Sequence, residues 1–140
     1  MLSYSATITI NAPAEKIWQI LTNAPGYPEW DPTVIRIEGT IAAGNKITAY
    51  TKLAPNRAFP VKVTEFVPGQ HMVWASGMPL GLFKGARTFT LTPQADGSIE
   101  FSVREEFAGP MLALIRGSLP NMNQPFADFA AGLKAFAEKA

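Results

Sequence analysis

Two charged residues stand where strand periodicity calls for apolar ones. Along Ala86 to Thr92, Arg87 is in phase with Phe89 and Leu91; along Ser98 to Phe107, Glu105 is in phase with Phe101, Val103 and Phe107. Successive side chains of a strand point to opposite faces, so each charge shares the apolar face of its own strand. A guanidinium on an apolar face is suited to an oxygen acceptor such as a carboxylate, an enolate or a carbonyl, and a neighbouring carboxylate would orient it. In a catalytic setting Glu105 would carry the proton and Arg87 would steady the oxyanion. The bland reading is a structural ion pair at the rim of a core, because a buried charge without a partner is costly. The two segments flank Asp96-Gly97, a strong hairpin signal, but its register leaves Arg87 opposite either Glu105 or Val103.

Other candidate chemistry is sparse. His71 is the one residue of the type suited to proton transfer near neutral pH, but it follows Pro68-Gly69-Gln70 and reads as an exposed residue opening a strand. Glu29 and Asp31 flank Trp30 and could supply acid/base work, but read as solvated carboxylates that cap or space a turn. No nucleophile motif or triad is visible. There is no cysteine, which excludes thiol catalysis, disulfides and thiolate metal sites, and one histidine does not build a His-rich zinc site. No metal and no organic cofactor is expected. Twelve Lys plus Arg against eleven Asp plus Glu leave a net charge of +1 with no basic run, so no nucleic-acid partner is expected.

The aromatic residues carry more information as a group. Trp18 reads as core. Trp30, Tyr50, Trp74, Phe89 and Phe101, with Val103, are the candidates to line an interior, and Met122, Phe126 and Phe129 would roof it. Their alternative role is simply to fill that interior. The loop Ser76 to Gly85 holds Met78, Leu80, Leu82 and Phe83 with only Lys84 charged. Exposed, such a segment would be a lid, a homodimer contact or a membrane-touching tip; the alternative is that it folds back over the sheet edge.

These residues need elements to hold them. The chain has 140 residues, 47% apolar and only 16% charged, which fits one domain over 1–140 with a real core and excludes disorder. Tyr4 to Ile10 alternates as a strand. Asn11-Ala12-Pro13 ends it, and Ile17, Trp18, Ile20 and Leu21 mark a helix. Pro25, Gly26, Pro28 and Pro32 leave room for only a short helical turn around Tyr27 to Trp30. Val34 to Glu38, Lys46 to Leu53, Val61 to Val67, His71 to Ala75, Ala86 to Thr92 and Ser98 to Phe107 are strands joined mainly by short turns, hence an antiparallel meander. Met122, Phe126, Phe129, Leu133 and Phe136 then step at helical spacing. Pro125 requires that this helix begin near Asn123 or kink. The fold class is α+β: seven strands in a curved sheet, a helical insertion after the first, and one long C-terminal helix to cover the apolar face. The longest apolar run, Met111 to Ile115, is far too short to span a membrane, and the first residues show no signal peptide, so a cytoplasmic location without stable membrane insertion is expected.

The stretches Ile10-Asn-Ala-Pro-Ala-Glu-Lys-Ile-Trp18 and Gly26-Tyr-Pro-Glu-Trp-Asp-Pro32 resemble the opening of the SRPBCC superfamily, which includes START-like and polyketide cyclase/dehydrase-like proteins. Val63-Thr-Glu-Phe-Val-Pro-Gly69, Met72-Val-Trp74, Glu105-Glu-Phe-Ala-Gly-Pro110 and the terminal helix with Gly132-Leu-Lys134 fit the same pattern. The resemblance covers nearly the whole chain. It implies a helix-grip fold with a deep cavity between sheet and C-terminal helix, and leaves three functions open. The leading one is a non-catalytic module binding a lipid, isoprenoid or aromatic polyketide-like molecule, oriented by Arg87, Glu105 and an aromatic hydroxyl. The second is a cyclase or dehydratase confining a reactive chain in the same cavity. The third is a protein-partner domain like the chaperone-cofactor branch. All three turn on whether the sheet stands off the helix far enough to leave a hollow.

Overall fold

The computed structural model describes residues 2–139. Strand β1 (Leu2–Ile10) leads into helix α1 (Ala14–Thr22), a 3-10 turn (Ala24–Gly26) and the one-turn helix α2 (Tyr27–Trp30). Strands β2 (Val34–Glu38), β3 (Lys46–Thr51), β4 (Ala58–Val67), β5 (His71–Gly77), β6 (Lys84–Pro93) and β7 (Ile99–Ala108) follow. The one-turn helix α3 (Leu112–Ile115) and the long helix α4 (Asn123–Ala137) close the chain. All strands lie in one antiparallel sheet of order β1-β7-β6-β5-β4-β3-β2. The meander and the helical insertion are as expected. Strands β4 and β6 start earlier than the sequence indicates, at Ala58 and Lys84, because neighbouring backbone offers partners that local propensity does not foresee.

Pro125 does not kink α4. It lies in the first turn, where a missing N–H leaves no intrahelical bond unmade. The buried face of α4 is Phe126, Phe129, Ala130, Leu133 and Ala137, with Met122 and Phe136 half-buried beside it. Polar ties fix the helix along the β1 edge: Lys134 Nζ donates to the Thr9 carbonyl at 2.7 Å, and Glu138 accepts from the Asn11 N–H at 2.7 Å.

Helix α2 is wedged between α4 and the sheet, and Gly132 sets how closely it sits. A Cβ built on Gly132 would stand 2.1 Å from the Trp30 carbonyl oxygen, a backbone atom with little freedom to retreat. Gly132→Ala is therefore expected to push α2 off α4 and lower stability by about 1–3 kcal/mol, the usual range for overpacking. Gly117→Ala, where a Cβ meets nothing within 4 Å, is the control expected to leave the urea midpoint in place.

Candidate functional site

Cross-strand register places the polar candidates in a single row. On the concave face Val63 pairs with Trp74, Trp74 with Arg87, Arg87 with Glu105, and Glu105 with Tyr4. Arg87 therefore opposes Glu105 directly and not Val103. Directly opposed side chains stand about 4.5–5.5 Å apart at Cβ, so the row is in lateral contact. Arg87 Nη2 donates to Glu105 Oε1 at 3.0 Å and Nε to the same oxygen at 3.4 Å. Both bonds use one carboxylate oxygen, which leaves the guanidinium short of the two-to-two pairing that would occupy its edge. Its side chain is 26% exposed and that of Glu105 12%, so the pair opens to solvent at one side. The Phe126 ring of α4 lies under the Arg87 guanidinium, 4.9 Å from carbon to centroid, a cation–π contact from the covering helix.

Beside this pair is a group with no partner. Trp74 is buried, and its indole Nε1 has no hydrogen-bond acceptor among the described residues. A buried donor left unpaired costs about 1–3 kcal/mol, and folded proteins satisfy nearly all of them.

Two residues complete the site that sequence reasoning missed or misplaced. Asp31 is not a solvated carboxylate: only 4% of it is exposed, and its Oδ1 accepts from the Thr33 N–H at 2.9 Å and the Thr33 hydroxyl at 2.6 Å. The motif Asp31-Pro32-Thr33 signals such an Asx turn, but burial under α2 is a tertiary effect. That burial raises the Asp31 pKa above the ordinary carboxylate value, against the Thr33 hydrogen bonds and the nearby positive charges of Arg87 and Lys52. Tyr27 is fully buried, and its hydroxyl donates to the Leu21 carbonyl at 2.5 Å. Burial first, and the Asp31 charge second, push the Tyr27 phenol well above its usual range.

The other candidates divide cleanly. Trp30, Phe89, Phe101, Val103, Phe126 and Phe129 are buried in the interior, and Met122 is half-buried at the start of α4. Trp30 ends α2 and is packed inside. Tyr50 does not join them. Its strand turns Ile47 and Ala49 inward, so Tyr50 lies on the outer face under Arg36, whose guanidinium carbon is 3.8 Å from the ring centroid. His71 opens β5 as expected, but it is half-buried opposite Val67 and Thr90 and not exposed. Trp18 packs edge-on against Phe66 at 5.4 Å between centroids, as a core residue.

The expected open hollow is filled in this structure. Rings of Tyr27, Trp30, Trp74, Phe89, Phe101 and Phe129 meet at centroid distances of 4.6–6.3 Å between sheet and α4. Aromatic pairs gain from such tilted and edge-on contacts, so a sheet rich in rings draws its cover down onto itself. Two hollows lie elsewhere. One of 270 Å³ sits between α1, α2 and α4, lined by Lys16, Ile20, Glu29, Trp30 and Phe136 among others. One of 320 Å³ lies beside the β5–β6 connection, against Lys62, Met78, Phe83 and Lys84.

The family model described as polyketide cyclase / dehydrase and lipid transport matches residues 1–140. No curated protein matches the sequence. Among solved structures, a START superfamily protein from Mycobacterium smegmatis is similar at 18% identity, covering 97% of each chain with a TM-score of 0.69. The Aha1 dimer from Colwellia psychrerythraea is similar at 23% identity over 99% of this chain and 97% of that one, TM-score 0.72. A truncated norcoclaurine synthase from Thalictrum flavum is similar at 15% identity over 99% and 94%, TM-score 0.69. At these identities the structures establish the shared fold: the curled seven-stranded sheet gripping a C-terminal helix.

The state of Asp31 is checked by its linkage to stability. A carboxyl whose folded pKa lies above its unfolded value favours the folded state at low pH, and that contribution is lost as pH rises through the folded pKa. Asp31→Asn keeps an oxygen for Thr33 and removes the buried charge. Its unfolding free energy relative to the parent protein is therefore expected to improve from pH 4 to pH 7. A constant difference across that range would mean that Asp31 titrates as an ordinary carboxylate.

Proposed function

The chain belongs to the polyketide cyclase / dehydrase and lipid transport family, and from that premise we propose that it binds a hydrophobic small molecule carrying at least one oxygen acceptor. The observation that carries this reading is the unpartnered Trp74 Nε1 in the same cross-strand row as Arg87. An oxygen placed between them accepts from the indole and from the free edge of the guanidinium, and it lies in a low-dielectric setting where both bonds are strong. Glu105 holds the guanidinium in place and keeps the half-buried site near neutrality until the guest arrives.

The filled interior gives the guest a definite route. Its apolar part must displace protein side chains, and the cover is least packed ahead of α4. Between Ala108 and Asn123 only Leu112 is buried, while Met111, Ile115, Leu119 and Met122 are half-buried. Segments with few buried apolar contacts open at the lowest free-energy cost. A guest lodged there keeps its oxygen at Arg87 and its apolar surface against Phe126 and the ring cluster. Affinity comes from apolar burial, less the cost of moving what was there.

One observation favours a second reading, a cyclase or dehydratase acting in the same place. Asp31, with its raised pKa, is a buried acid near Arg87, the combination that general acid–base catalysis uses.

The binding reading is tested with cis-parinaric acid, a fluorescent polyene carboxylate, followed by fluorescence and by the Trp74 indole N–H resonance. Saturable binding with a downfield shift of that resonance is expected. Arg87→Met with Glu105→Gln, which removes both charges together, is expected to weaken binding about tenfold, the scale of one hydrogen bond to a charged group. No saturable binding, or binding that leaves the Trp74 resonance unmoved, contradicts the reading.

A further inference from the structure

The two ends of the sheet differ in kind. The β3–β4 connection (residues 52–57), the β5–β6 connection (78–83) and the segment from β7 to α4 (109–122) emerge at one end, because consecutive strands are antiparallel. Six large apolar side chains are exposed among the described residues, and five of them are at this end: Leu53, Met78, Leu80, Leu82 and Leu114. The sixth, Val67, is at the other. Leu80 is 98% exposed and Leu114 77%. The second and third of these segments are joined: the Met111 N–H donates to the Leu82 carbonyl at 2.8 Å, and Gly109 passes so close to Leu82 that a Cβ there would stand 2.6 Å from its oxygen.

Two further features separate this end from an ordinary surface. Leu80 has φ +61°, a left-handed conformation that costs a leucine energy and is usual for glycine. The backbone thus holds a leucine outward in a strained geometry with no internal contact in return. Secondly, the three segments carry Lys52, Arg57 and Arg116, with Lys84 at the edge of the second, and not one carboxylate. Asp31, on the neighbouring α2–β2 connection, is buried. Within β7, near its end, Glu105 and Glu106 are paired with Arg87 and Arg104. Apolar side chains ringed by cations alone match a surface that is apolar below and anionic above. A second copy of the chain would set these cations against one another, which disfavours self-association through this end.

We propose that this end of the molecule docks on anionic phospholipid bilayers, with Leu80, Leu82, Met78 and Leu114 entering the interfacial region and Lys84, Arg116, Lys52 and Arg57 meeting the headgroups. The docking surface lies outside the interior site and stands whether or not that site takes a guest.

The test is co-sedimentation of the full chain, without added ligand, with vesicles of phosphatidylcholine alone and of phosphatidylcholine mixed with phosphatidylglycerol, at low and high salt. Partition is expected onto the mixed vesicles only, weakening with salt. Lys84→Gln with Arg116→Gln is expected to reduce it about fivefold per cation removed. Leu80→Gly is expected to reduce it about tenfold, the scale of one leucine leaving an apolar phase. Glycine accepts the left-handed backbone, so the melting temperature of Leu80→Gly should hold or rise, which separates lost docking from lost folding. Absence of partition, equal partition onto neutral vesicles, or partition undiminished by Leu80→Gly overturns the proposal. So does a concentration-dependent dimer that Leu80→Gly dissolves. Parinaric acid binding is not read in this assay, so either reading can fail without the other.

Discussion

Phe129 is the contact on which the rest of the structure depends. Its ring meets Trp30 at 5.0 Å, Phe89 at 5.8 Å, Phe101 at 6.0 Å and Tyr27 at 6.3 Å, and so joins α4 to α2 and to strands β6 and β7. A meander with one apolar face has to be covered, and among the described residues α4 is the helix long enough to do it. Phe129 fixes the depth at which it does so. Once that depth is set, α2 has to lie with its backbone against Gly132, and the Asp31 turn that follows α2 is carried under the cover. The polar row on β5, β6 and β7 then falls at the margin of the ring cluster, where Phe126, one turn before Phe129, reaches Arg87.

This placement governs the electrostatics. Burial raises the pKa of both Tyr27 and Asp31, the Arg87 charge lowers both, and the Asp31 charge raises Tyr27 further. The three groups thus share one field. Arg87 and Glu105 cancel, so the net charge of the site follows the protonation of Asp31. With Asp31 protonated, the site is neutral and an anionic guest meets no repulsion; with Asp31 ionised, a neutral acceptor such as a carbonyl is the better fit. In the proposed binding site, the protonation of Asp31 would therefore set which kind of oxygen Arg87 accepts best.

Much of this could be read from residue order, and what could not has a common cause. Period-two alternation with turn residues gives the seven strands, and helical spacing from Met122 to Phe136 gives α4, because both patterns are local. Strand parity alone puts Arg87 and Glu105 on the concave face, and the pairing confirms them as neighbours. Tyr50 fails by the same rule: parity from Ile47 and Ala49 sends it outward, and aromatic character is no guide to side. Asp31 and Tyr27 fail for another reason. Their segment, broken by Pro25, Pro28 and Pro32, has no periodicity to report which face is covered, and a carboxylate in a proline-rich turn reads as solvated. Its burial comes from Gly132, a hundred residues further on, where a missing side chain lets two backbones meet. The closed interior is likewise a matter of volume. Sequence names the rings but not the depth at which they meet.

Polarity is graded along the strands, and the gradient runs toward one end. From the Asp96 turn inward, the concave pairs are apolar: Leu91 with Phe101, then Phe89 with Val103. The next pair is Arg87 with Glu105, and beyond it Gly85 with Phe107 and Lys84 with Ala108 finish the sheet. The charged row is thus not at the middle of the molecule but two pairs from the end where Leu80 and Leu114 project. A molecule with an apolar body and one oxygen function entering from that end meets the donors last if it goes in body first. It then leaves its polar group at the one place where the interior can answer it. Reversing the order of rows, with the ion pair deep and the rings at the mouth, would force the polar group through the ring cluster at the full cost of desolvation. For the guest proposed above, this gradient favours entry from the leucine-rich end, where the least packed part of the cover lies ahead of α4.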